Sequence, residues 1–142
     1  MRPIFQLFLI ISAFALINCN DPKATEPEGF SGTYVAVKFI SMANTDGDND
    51  VLATGGSLTA VFSPDNKVNG YILITKESQS VFGPANKNYS GEYKIRADTL
   101  WFNNTGTFLD NPIIYFFIKG NLLELRNFTG RLTTTKIVFM KQ

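Results

Sequence analysis

From residue 30 onward, apolar and polar positions alternate over short runs that are separated by turn formers, the pattern of half-buried strands. The clearest run is 89–96: Tyr89, Gly91, Tyr93 and Ile95 fall on one face, Ser90, Glu92, Lys94 and Arg96 on the other. Upstream, residues 33–40 are rich in β-branched and aromatic side chains and open the series. Residues 57–62 and 68–75 flank Ser63-Pro64-Asp65-Asn66-Lys67, whose Pro, Asp and Asn suit a tight turn. Ala97-Asp98 turns the 89–96 run into 99–102. Gly120-Asn121 turns 113–119 into 122–128, and 136–141 comes last. No stretch has helical periodicity with caps, although 78–88 has room for a short turn. The pattern predicts an all-β fold, an antiparallel meander of eight strands closed into a small barrel that leaves no exposed edge.

The first residues follow another rule. Arg2 precedes a fourteen-residue stretch, 4–17, interrupted only by Gln6 and Ser12. A spanning helix needs about twenty apolar residues, so this run reads as the apolar part of a secretory signal peptide. The sole cysteine, Cys19, follows directly, and then come two prolines and three acids among residues 20–29 with no large apolar side chain. That composition is a solvated tether. The division expected is 1–18 as signal peptide, 19–30 as modified cysteine and tether, and 31–142 as barrel.

The junction Leu16-Ile17-Asn18-Cys19 resembles the lipobox of bacterial lipoproteins, with Asn18 where Gly, Ala or Ser is usual. The resemblance implies removal of the preceding peptide, diacylation of the Cys19 thiol and acylation of the new amino terminus. One acyl chain holds a protein at a bilayer marginally and two or more hold it firmly. The membrane, reached through this lipid anchor, is therefore an expected partner. Asn20 is not the Asp that resembles an inner-membrane retention signal in enteric bacteria, which favours the outer membrane of the cell envelope. A leftover thiol or an intermolecular disulfide are the competing readings of Cys19.

The strand pattern is also similar to that of small lipocalin-like bacterial lipoproteins. The similarity rests on Gly32-Thr33-Tyr34, on 91–95 before Asp98-Thr99-Leu100, on 118–125 and on 136–141. Larger members open on Gly-x-Trp and carry a flanking helix; here Tyr34 takes the Trp position and no helix is read. The resemblance implies an eight-stranded lipocalin-like barrel with a non-catalytic, binding role.

Composition narrows the chemistry. Thirteen Lys plus Arg against twelve Asp plus Glu leave a net charge of +1, with nothing that points to nucleic acid. Histidine is absent, which removes Ser-His and Cys-His nucleophiles and histidine-bearing metal sites. Asp46, Asp48 and Asp50 alternate as the opening of a calcium loop would. Counted from Asp46, however, the sixth and twelfth positions hold Val51 and Ser57 instead of Gly and Glu, so the stretch reads as an acidic loop. Glu92 and Glu124 form a conceivable carboxylate pair, but their polar faces beside Lys94 and Arg126 fit solvated ion pairs better. No cofactor or metal is called for, and no enzyme is expected.

The thirteen Phe, five Tyr and one Trp leave two readings. Either they fill the barrel, or they line an apolar pocket with Tyr71, Tyr93, Trp101 and Tyr115 near its mouth. The run 113–118 is apolar on both faces, so its outer face is either covered or an interaction patch. The expected function is the binding of a small apolar ligand; the alternative is contact with another envelope protein by a filled barrel.

Overall fold

The computed structural model describes residues 30–43, 48–125, 128–130 and 133–142. Residues 1–29, with Cys19 and the lipobox, lie outside them, as do Asp46, Arg126 and the side chain of Asp48. The described residues form ten strands: β1 (Gly32–Ala43), β2 (Asp48–Asp50), β3 (Ser57–Ser63), β4 (Lys67–Ile74), β5 (Ala85–Arg96), β6 (Thr99–Asn103), β7 (Phe116–Lys119), β8 (Leu122–Leu125), β9 (Phe128–Gly130) and β10 (Thr133–Lys141). Every pairing is antiparallel, and because β10 also pairs with β1 the order β1-β3-β4-β5-β6-β7-β8-β10 closes on itself. The protein is an all-β, eight-stranded antiparallel barrel of the lipocalin-like kind.

Three tight turns mark one end of the barrel. Asn66 (φ 61°) turns β3 into β4, Ala97 (φ 54°) turns β5 into β6, and Gly120 (φ 60°) turns β7 into β8. Left-handed backbone is ordinary for Gly and tolerable for Asn, whereas Ala97 pays its steric cost. The described chain begins at this end. Phe30, the last residue assigned to the tether, is buried against Phe62 (ring centroids 5.0 Å), Tyr34 and Tyr93 (5.6 Å each). The Tyr34 hydroxyl donates to Phe30 O and the Tyr93 hydroxyl to Ser63 O, so both rings enter the core with their polar atoms satisfied.

The ring contacts continue along the barrel through Phe62–Phe102, Phe102–Phe116 and Phe116–Phe139, each 5.5–5.7 Å between centroids. With Leu58, Val68, Ile72, Leu100, Leu123 and Ile137 these rings occupy the interior as one buried cluster. Circuit and cluster both lie within residues 30–142.

β1 contains a bulge that governs the other end. Its register with β10 runs Ala36↔Phe139 and then Lys38↔Val138, leaving Val37 as the extra residue. The inward set shifts from Tyr34 and Ala36 to Phe39 and Ser41, all buried, while Val37 is exposed. A bulge bends and twists its strand. The first part of β1 pairs with β3, and beyond the bulge Ile40–Met42 pair with β2 instead. β10 divides likewise, pairing with β8 through Val138–Met140 and with β9 through Thr133–Thr135.

The eight predicted strands are the eight of the barrel, with different bounds: β5 begins at Ala85, four residues before the predicted Tyr89 and inside the stretch expected to have room for a short turn. The run predicted to start at Ile113 becomes β7 only at Phe116. Asn111 accepts from the Ile113 and Ile114 amides through Oδ1 and O, and Pro112 sits inside that turn. The strand predicted to reach Phe128 stops at Leu125, and Phe128 belongs to β9. β2 and β9 were not predicted. At three residues each they are too short to show a period, and β2 lies in the acidic stretch.

Candidate ligand cleft

At the end opposite the three tight turns, two longer connections meet over the barrel. Residues 75–84 link β4 to β5, and residues 104–115 link β6 to β7. Each connection inserts one phenylalanine toward the other.

Ser41 holds the first. Buried beyond the bulge of β1, its Oγ accepts from the Val81 amide (3.0 Å) and from Ser80 Oγ (3.2 Å). Ser80 Oγ in turn accepts from the Phe82 amide (3.2 Å). The left-handed Gln79 (φ 46°) and Gly83 (φ 69°) reverse the chain on either side. Asp110 holds the second. Its Oδ1 accepts from the Thr105 amide (2.8 Å) and hydroxyl (2.7 Å), and its Oδ2 from the Gly106 amide (2.6 Å). Thr107 caps the short 3-10 turn Phe108–Asp110 by accepting from the Leu109 amide, and Leu109 is fully buried as its apolar anchor.

These two sets of bonds place Phe82 and Phe108 in a parallel stack, 4.0 Å between centroids and 13° between planes. Phe39 lies beneath both at 6.4 and 5.9 Å. Beside the half-buried stack is a cleft of about 450 Å³ that Ile72 and Ile74 floor and Pro84, Ala85, Asn86, Lys87, Gly106 and Thr107 complete. Clefts of small-ligand sites run from about 300 to 1,000 Å³ and are mostly apolar with a few placed polar groups. Lys87 is the one charged side chain in this lining, and its Nζ donates to Gly106 O at 2.5 Å.

The four aromatic residues singled out from sequence are not brought together. Tyr93 is an interior residue of the tight-turn end, 1% exposed. Tyr71 lies on the outer face of β4, and its hydroxyl donates to Asn86 Oδ1 at 2.7 Å, beside the cleft rim. Trp101 and Tyr115 meet on the outer wall at 6.1 Å, and Tyr115 contacts Phe117 at 5.6 Å. Sequence reasoning missed Phe82, Phe108 and Lys87. The available signal was a single phenylalanine inside each of two connections rich in Ser, Gly, Pro, Thr and Asn.

Glu92 and Glu124 do not converge. Three strand spacings separate β5 from β8, roughly 14 Å along the wall. Glu92 pairs with Lys67 (2.7 Å), not the expected Lys94, and Glu124 pairs with Lys119, while Arg126, the partner expected for Glu124, lies outside the described residues. Lys67 holds the Glu92 carboxyl below its ordinary pKa by hydrogen bond and charge, and is itself held above its own. Both sit in a polar groove with Asp65, Asn69 and Ser90. In the acidic stretch, Asp50 Oδ1 accepts from the Leu52 and Ala53 amides. No group of acidic or thiol side chains suited to a metal occurs among the described residues, and no helix among them is long and apolar enough to cross a membrane. Set against family models, curated proteins and solved structures, the chain matches none.

Proposed function

We propose that the protein is a lipid-anchored lipoprotein of the bacterial cell envelope whose barrel binds a small apolar ligand at the loop end. The observation that carries the binding reading is the half-buried Phe82–Phe108 stack beside a cleft of mixed polar and apolar lining floored by Ile72 and Ile74. The interior is occupied by the aromatic series from Phe30 to Phe139, so the ligand site is the end cleft and not the barrel axis. The anchoring reading rests on the lipobox-like sequence at Cys19. Phe30, where the described chain begins, lies at the tight-turn end, opposite the cleft.

Two measurements test this. Mass spectrometry of the mature protein is expected to show an acylated Cys19 as first residue, and an unmodified Cys19 overturns the anchor. A lipophilic fluorescent dye is expected to bind residues 20–142 with micromolar affinity and to lose about tenfold in Phe82→Ala or Phe108→Ala, since large apolar contacts are removed. Undiminished binding in both variants overturns the cleft.

The interaction-module reading has one observation of its own. Trp101, Tyr115 and Phe117 are half-exposed on the outer wall, and Ile113 beside them is 57% exposed. Such a patch on a filled barrel is what contact with an envelope protein would use.

A further inference from the structure

The outer surface of the barrel is not uniform. In the half nearer the tight turns, the register sets outward side chains in one row, Arg96–Thr99–Phe117–Glu124–Val138–Lys38, that crosses β5, β6, β7, β8, β10 and β1. A second row beside it runs Lys119–Leu122–Met140–Val35. On the other side Lys94 lies opposite Trp101, whose ring meets Tyr115 at 6.1 Å. Trp101, Phe117, Leu122, Val138 and Val35 are half-exposed, and Met140 is exposed. The wall made by β3, β4 and the first part of β5 differs. Its outward positions are mostly Ser, Thr and Asn, among them Thr59, Asn69, Asn88 and Ser90.

Charge on the apolar wall is mainly positive and stands at its margins. Lys94 and Arg96 lie on the β5 side and Lys38 on the β1 side, with Lys136 beyond Val138. Its acids are Glu124, which Lys119 pairs, and Asp98 at the turn. On the Ser/Thr/Asn wall, by contrast, Lys67 and Glu92 offset each other. A convex wall with apolar side chains between two basic margins is complementary to the interface of an anionic bilayer. Trp and Tyr rings settle at headgroup depth there, and Lys and Arg lay their stems along apolar surface while the cation reaches lipid phosphate. A second copy of the chain is disfavoured on this wall, because two positive faces repel. Phe30, where the described chain begins, is at the same end of the barrel and eleven residues after Cys19, a contour of at most about 40 Å.

We propose that this wall docks on an anionic lipid surface, with Trp101, Phe117 and Met140 entering the headgroup layer and Lys38, Lys94 and Arg96 meeting its phosphates from the two margins. The inference goes beyond the anchoring reading, which concerns Cys19 alone, and stands whether or not that cysteine is acylated. Docked this way, the barrel lies on its side. An acyl chain at Cys19 and the wall then hold one bilayer together, and two weak attachments joined by a short chain act as one firm attachment.

Trp101 is the only tryptophan of the chain, so its fluorescence reports on this wall directly. The test mixes residues 20–142, which contain the whole barrel, with vesicles of phosphatidylglycerol and phosphatidylcholine or of phosphatidylcholine alone, each with and without brominated acyl chains. With the anionic vesicles, Trp101 emission is expected to shift to the blue and to be quenched by bromine. Partitioning onto phosphatidylcholine alone is expected to be about tenfold weaker, and Lys94→Gln and Arg96→Gln are each expected to lose about fivefold on the anionic vesicles. Lys76→Gln, in the connection at the loop end, is expected to keep the affinity of the unaltered chain. No binding to the anionic vesicles, or equal binding to both kinds, overturns the proposal and leaves the wall to a protein partner. Binding without quenching of Trp101, or the same loss in Lys76→Gln as in Lys94→Gln, overturns the choice of wall. An unchanged cooperative unfolding transition in each variant shows that the comparison is between folded proteins.

Discussion

Gly70 and Tyr89 act as one unit across two strands. They are register partners, and the Tyr89 ring lies over the glycine with its hydroxyl donating to Thr59 O (2.7 Å) one strand further on. A methyl group at residue 70 would collide with the Thr59 carbonyl and the Tyr89 ring. Backbone cannot swing aside as a side-chain tip can, so Gly70→Ala is expected to cost about 2–3 kcal/mol, read as a lower urea midpoint with unchanged slope. Burial also holds the Tyr89 hydroxyl protonated beyond its ordinary range, as it does that of Tyr34. The folded state therefore binds a proton that the unfolded state gives up near pH 10. Stability is full below that pH and falls above it, by up to about 1.4 kcal/mol per pH unit for Tyr89. Urea titrations at pH 8 and pH 11 check this; Tyr89→Phe is expected to start lower by about 1 kcal/mol, having lost the bond to Thr59, and to lose less between the two pH values.

The two loop-end connections show how polar side chains position apolar ones. Asp110 does for residues 105–110 what a strand ladder does elsewhere, taking up amides that would otherwise have no partner. Asp110→Ala is expected to raise hydrogen exchange at the Thr105 and Gly106 amides while amides of β4 and β5 keep their protection. The loss of stability is expected to stay near 1–2 kcal/mol, because the barrel core is untouched. Equal loosening of strands and loop would show that this connection is part of the barrel's cooperative unit. Within β1, the bulge at Val37 has the larger consequence, since it turns Ser41 inward to receive the connection that carries Phe82.

At the scale of the whole molecule, strand identity, antiparallel order and the inward face of β5 were all legible in the sequence. Period-two alternation is a local property, enforced wherever one face of a strand meets a core and the other meets water. The tight turns were legible for a similar reason, because Asn66 and Gly120 are residues that tolerate left-handed backbone. The lipobox-like junction at Cys19 is likewise a matter of adjacent residues, and it remains a reading of sequence. Closure of β10 onto β1 depends on contacts about a hundred residues apart and was an inference from the cost of open edges. The cleft was not legible. Phe82 and Phe108 come from separate connections, and only the Ser41 and Asp110 bonds, set by the closed barrel, bring them to 4.0 Å. Local periodicity thus determined which residues are strands and which way they face, whereas the tertiary structure decided which of the inward and loop residues share one site, since that depends on distances no sequence interval encodes.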